Sequence, residues 1–88
     1  MANIKSAIKR MKQAVKRNQR NRRIKSHVKN AIKNFYVHLE EKDTQKARAA
    51  YALAGKVIDQ AVSKGVLHKN NGSRKKSRLA RKLNRLAG

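Results

Sequence analysis

RKKSRLARKLNRLAG, residues 74–88, interleaves leucines and arginines so that neither set breaks the other's spacing. Read as a helix, Leu79, Leu83 and Leu86 follow steps of four and three and stack on one face that can bury against other helices. Arg74, Arg78, Arg81 and Arg85 follow the same kind of spacing. At about 100° per residue the two sets lie roughly 140 to 180° apart, giving one segment a dry seam and an arginine ridge. The seam is core. The ridge calls for a counter-charge, and no Asp or Glu occurs after Asp59.

Working toward the N-terminus, the helical reading extends to the whole chain. Eighty-eight residues suit one domain near the lower size limit for a core without disulfides or metals. The chain has no Cys, no Pro and only four Gly, so it lacks thiolate chemistry, linker composition and most helix breakers. From Ile4 to Leu39 the pattern is helical throughout, but its apolar stripe changes direction. Ile4, Ile8, Met11 and Val15 share one face, with Ala7 and Ala14 beside them; Asn18, Gln19 and Arg22 then interrupt it. A second stripe, Ile24, Val28, Ala31, Ile32, Phe35 and Leu39, resumes about 120° away on the wheel. An unbroken helix here would be roughly 54 Å long, longer than a small three-helix core is wide, so its N-terminal part projects.

EEKDTQ, residues 40–45, breaks the periodicity and holds three of the four acidic residues, with Asp43 or Thr44 placed to cap a second helix. That helix runs to about Ser63 and buries Ala47, Ala50, Tyr51, Ala54, Val57, Ile58 and Ala61, its many alanines permitting close helix approach. Gly65 has the position of a C-terminal cap. The third helix begins between His68 and Ser73, with Gly72 its weak point. The expected architecture is all-α: a three-helix bundle with a long, projecting, basic first helix.

Charge bounds the function. Lys and Arg total 25 against 4 acidic residues, for a net +21 and a pI near 11.7. Residues 1–30 hold 11 basic and no acidic residues, residues 69–88 hold 8 and none, and the middle, 31–68, is close to neutral. On the first helix Lys25, Lys29 and Lys33 form a ridge, while Lys5, Lys9, Lys12, Lys16, Arg20 and Arg23 share a broad face with Arg10 and Arg17 beside it. Enzyme chemistry finds no footing. His27, His38 and His68 have no metal-ligand spacing, Glu40 and Glu41 are adjacent and do not converge, and the serines lack a nucleophile-elbow context. No cofactor or small-molecule substrate is expected. The start, MANIKSAIKRMK, has no continuous apolar region, so neither a secretory signal nor a membrane span is expected.

Polyanions remain. Membrane-surface helices carry Trp, Phe or Leu on the buried face, which Ile4 to Val15 does not match. DNA readers present one recognition helix from a compact unit, whereas here charge spreads over most of two helices. Single-strand binders need stacking platforms, and Tyr36 and Tyr51 lie on core stripes. Folded RNA, recognised by shape and backbone, fits best; a histone-like protein coating DNA is the alternative, and a membrane-active peptide a distant third.

ANIKSAIKR at 2–10, RNRRIKSHVKNAIK at 20–33 and above all KGVLHKNNGSRKKSRL at 64–79 resemble the bacterial small-subunit ribosomal protein S-twenty family over essentially the whole chain. The resemblance implies a three-helix bundle with an extended first helix, no catalytic activity and direct binding to the small-subunit (16S) ribosomal RNA during assembly, in the cytoplasm. It further implies contact with the 5′ domain of that RNA and with the long helix near its 3′ end, beside other small-subunit components. Asn3, Lys5, Ser6, Lys9 and Arg10 match the family's N-terminal motif. His68, Lys69, Asn70, Arg74, Lys76, Ser77 and Arg78 match its third-helix motif. Gly72 departs from it, the family more often having Ala there. Residues 1–23 are expected to form an arm that is helical when bound.

Overall fold

The computed structural model describes residues 2–87, with side chains from Ile4 to Ala87. Three helices account for nearly all of it: α1 (Ala2–Glu40), α2 (Thr44–Ser63) and α3 (Lys69–Ala87). At 1.5 Å per residue the 39 residues of α1 run about 58 Å. The Cα trace measures 66 × 21 × 13 Å and its radius of gyration is 17.7 Å, against about 12 Å for a compact chain of this length. The excess is the arm. The three-helix bundle and the projecting first helix expected from the sequence are both present.

The core is small and asymmetric. Val28 and Phe35 of α1, Ala47, Ala50, Ala54, Ile58 and Ala61 of α2, and Leu79 of α3 are buried. Ile24, Ala31, Ile32, Leu39, Tyr51, Val57, Leu83 and Leu86 pack half-buried against them. Helix α2 lies between the other two, and α1 touches α3 little. One tie between them is Lys82, whose Nζ donates to the Tyr36 hydroxyl at 2.9 Å and sits 4.3 Å from the ring centroid. Tyr36 and Tyr51 are thus boundary residues around Phe35, whose ring centroid lies 6.3 Å from that of Tyr51.

Both turns use the same device. After α1, the Lys42 N–H donates to the Leu39 carbonyl and the Asp43 N–H to the His38 carbonyl; after α2, the Gly65 N–H donates to the Val62 carbonyl and the Val66 N–H to the Ala61 carbonyl. Each is a helix closing on a left-handed residue, Lys42 at φ 57° and Gly65 at φ 76°. The glycine at the second turn accepts that conformation freely, which is why its position after Lys64 marks the end of α2. Asp43 then starts α2, its Oδ1 accepting from the Lys46 N–H at 3.1 Å. His68 starts α3 in the same manner: its Nδ1 accepts from the Asn70 N–H at 3.1 Å.

Gly72 is buried rather than a weak point. A Cβ there would stand 2.6 Å from Val62 Cγ2 and 3.4 Å from Ile58 Cγ2, so glycine permits α3 to close on α2. One turn on, Lys76 Nζ bonds Asp59 Oδ1 at 2.8 Å across the same pair of helices.

The first apolar stripe remains outside the core. Ile4, Ile8, Met11 and Val15 are between 48% and 68% exposed. Met11→Ser is therefore expected to leave stability within about 0.5 kcal/mol, whereas Leu79→Ala costs about 2 to 4 kcal/mol by urea unfolding. Equal effects would show that the arm packs on the bundle.

A second prediction concerns Gly72. Gly72→Ala gains about 1 kcal/mol of helix propensity but meets a β-branched neighbour, and overpacking of this kind costs about 1 to 3 kcal/mol. The variant should be neutral to about 2 kcal/mol less stable, and adding Val62→Ala should reverse the steric part in a double-mutant cycle. Strict additivity would contradict the close approach.

Candidate nucleic-acid interface

Because α1 uses only Ile24 to Leu39 to reach the bundle, its other surfaces are free for charged side chains along the full length. Lys5, Ser6, Lys9, Arg10, Lys12, Lys16, Arg17, Arg20, Arg23, Lys25, Lys29 and Lys33 are all exposed on it. Asn3 falls in the first turn of α1, with its side chain outside the described residues. On the wheel the arm divides into a basic half and an apolar strip. Lys5, Lys9, Lys12, Lys16, Arg20 and Arg23 fall within about 80°, with Arg10 and Arg17 adjoining them on the side away from Ile4, Ile8, Met11 and Val15.

On α3 the burial of Leu79 turns the opposite face outward. Arg74, Arg78, Arg81 and Arg85 are exposed, and Ser73, Arg74, Ser77, Arg78 and Arg81 line a shallow depression. Arginine forks flanked by two hydroxyls can meet phosphate oxygens in pairs, with serine donors between them. His68, Lys69 and Asn70 are exposed at the N-terminal end of the helix. There the first backbone N–H groups add a partial positive charge. The imidazole of His68 is not packed on the leucine seam; its Nδ1 serves as the helix cap.

Lys76 is set apart. It lies on the seam side of α3, half-buried, and its ammonium is held by Asp59. That hydrogen bond, and then the carboxylate charge, raise the Lys76 pKa above the ordinary 10.5. A cation whose folded pKa is raised contributes fully below its ordinary value and loses that contribution only as pH climbs through the raised one. The stability difference between the wild type and Lys76→Gln should therefore be flat from about pH 6 to 9 and shrink only above the ordinary lysine range. A difference that changes near neutrality would assign it to some other group.

A second depression, lined by Arg22, Arg23, Ser26, His27 and Asn30, opens where the arm leaves the bundle. Of these only Arg23 stands out in the sequence. Arg22 reads as a break in an apolar stripe and His27 as a histidine without metal partners, and neither reading shows that α2 ends beside them.

Among the described residues no group of three or more His, Cys, Asp or Glu could hold a metal ion, and no helix is long and apolar enough to cross a membrane. What the geometry offers is a long helical rod and a helix face, both strongly cationic, held by a core that takes up almost none of the charge. This is the build of a helical protein suited to a large polyanion.

The family model described as ribosomal protein S20 matches residues 2–84. A small ribosomal subunit protein bS20 of Geobacillus kaustophilus strain HTA426 is 56% identical over 84 residues, covering 96% of this chain and 94% of the relative. Its counterpart in Geobacillus thermodenitrificans strain NG80-2 is 55% identical with the same coverage. That of Clostridium botulinum strain 657 is 51% identical over 86 residues, or 98% of each chain. The chain belongs to the ribosomal protein S20 family, a family of structural proteins and not of enzymes. The histone-like alternative finds no support among these relatives.

Proposed function

We propose that this chain is a structural constituent of the small ribosomal subunit in the cytoplasm and binds the 16S ribosomal RNA directly. The relatives named above are small-subunit proteins matched nearly end to end, which supports the ribosomal role. The observation that carries direct RNA binding is the exposed arginine ridge of α3, on a helix without one acidic residue and opposite the buried Leu79.

The mechanism is neutralisation and clamping. Phosphates of adjacent RNA helices repel each other, and a rod about 10 to 12 Å across carrying cations on a broad face can lie between them and relieve that repulsion. The bundle presents the α3 ridge to a second stretch of backbone, so one small protein spans two RNA elements. With Tyr36 and Tyr51 half-buried and Phe35 buried, recognition proceeds through shape and backbone, without bases stacked on aromatic rings. In finer detail, the 5′ domain and the long helix near the 3′ end of the RNA are the elements we assign to it. Asn3, Lys5, Ser6, Lys9, Arg10, His68, Lys69, Asn70, Arg74, Ser77 and Arg78 are the candidate contacts. Lys76 is the member already engaged within the chain.

Arg78→Gln with Arg81→Gln should leave thermal unfolding unchanged or slightly raise its midpoint, since like charges are removed from an exposed face. Binding to folded 16S RNA should weaken, and the slope of log affinity against log salt should become shallower by roughly 0.7 to 0.9 for each phosphate no longer neutralised. Unchanged affinity and slope would make the ridge a solvated face.

His68 needs a separate comparison because it caps α3. His68→Asn preserves a cap acceptor while removing the imidazole, and His68→Ala removes both. Loss of RNA affinity in both variants, with loss of stability only in His68→Ala, is expected if the imidazole touches RNA. Full affinity in His68→Asn would confine it to the cap.

A further inference from the structure

Resting on the RNA-binding reading, we infer that the root of the arm is a discrete site for one ribose-phosphate unit, built by Arg23 and His27 of α1 with Gln60 and Lys64 of α2. Two shallow depressions meet there and share His27 as a common wall. One is lined by Arg22, Arg23, Ser26, His27 and Asn30, the other by Ile24, His27, Val57, Gln60 and Lys64.

Three features make this more than another stretch of basic surface. First, it lies in register with the arm. At about 100° per residue Lys9, Lys16, Arg20, Arg23 and His27 fall within one narrow strip of α1, so a strand following the arm's basic row arrives at His27.

Second, the site is chemically mixed. The Ser26 hydroxyl, the His27 ring N–H and the Arg23 guanidinium can donate to phosphate oxygens. The amides of Asn30 and Gln60 both donate and accept and can therefore pair with a ribose 2′-hydroxyl. Half-buried Ile24 and Val57 give the second depression an apolar wall, against which a sugar face can rest. The arm's lysines offer charge alone and cannot tell ribose from deoxyribose.

Third, the donors are free. No acidic side chain lines either depression, and among the described residues none of Arg22, Arg23, Ser26, His27, Asn30, Gln60 and Lys64 has a side-chain hydrogen bond or ion pair within the chain. Lys64 has a particular task. It is the C-cap residue of α2, at the negative end of the helix dipole, which would repel a phosphate. Its ammonium cancels that field where the RNA backbone would pass.

The test uses the full chain, folded 16S RNA and a duplex DNA as competitor. His27→Ala and Lys64→Gln, both at exposed positions, should each weaken RNA binding by about three- to tenfold at unchanged helicity by circular dichroism. Combined, they should lose less than the product of the single effects, because they share one ligand group; His27→Ala with Arg81→Gln, on a different helix face, should be multiplicative. Gln60→Ala should narrow the preference for RNA over DNA more than it lowers DNA binding. In the wild-type protein the His27 ring resonances should shift on RNA addition, a readout independent of any variant. Wild-type binding to RNA with unchanged affinity in His27→Ala and Lys64→Gln and an unperturbed His27 ring would overturn the junction site alone. Failure of the wild-type protein to bind the RNA in preference to duplex DNA would overturn the RNA reading and the junction with it.

Discussion

Close approach to α2 is the constraint on which the rest of this structure depends. Ala47, Ala50, Ala54 and Ala61 keep the α2 surface low, so Val28 and Phe35 from one side and Leu79 from the other can bury against it. Gly72 extends the same closeness to α3 by removing a Cβ that Val62 would meet at 2.6 Å. The result is a core of a few large side chains set among alanines, enough to fix three helices with most of their surface left to solvent. A chain with +21 net charge has to give its surface to cations, and a thin, α2-centred core lets it do so without burying one unpaired.

Much of this was legible in the sequence because helical periodicity and charge spacing are local signals. The stripe from Ile24 to Leu39, the alanine row of α2 and the leucine row of α3 each identify a buried face, and each is buried or half-buried. Asp43 and Gly65 announce a cap and a stop through chemistry that needs no tertiary context. What escaped is what depends on which helices meet. Gly72 reads as a flaw in a helix until Val62 and Ile58 are seen beneath it. Lys76 reads as part of a basic motif, yet the 100° rule puts it on the seam side, where Asp59 holds it. His68 reads as part of a basic motif, but its ring caps the helix it precedes. The depressions around His27 cannot be foreseen without knowing that α2 ends opposite that residue.

The division of labour along the chain follows from electrostatics. Three of the four acidic residues cluster where α1 ends and α2 begins, Glu40 closing α1 and Glu41 and Asp43 in the turn, and the fourth, Asp59, is paired with Lys76. Neither the arm nor the arginine face of α3 has an internal counter-charge, so both are sources of repulsion in the free protein and of attraction toward a polyanion. The bundle's turn, with Glu40, Glu41 and Asp43, is the end a phosphate backbone would avoid. The chain therefore has a polarity of its own, cationic at the arm and along α3 and near neutral at the α1–α2 turn.

That polarity makes the central claim directly measurable. Lysine acetylation of the protein, free and assembled with the small subunit, read residue by residue by mass spectrometry, reports which cations the RNA covers. The account predicts protection of Lys5, Lys9, Lys12, Lys16, Lys25, Lys29, Lys33 and Lys69, with Lys42, Lys46 and Lys56 still reactive. Protection of Lys42, Lys46 and Lys56 with an arm left reactive would contradict it.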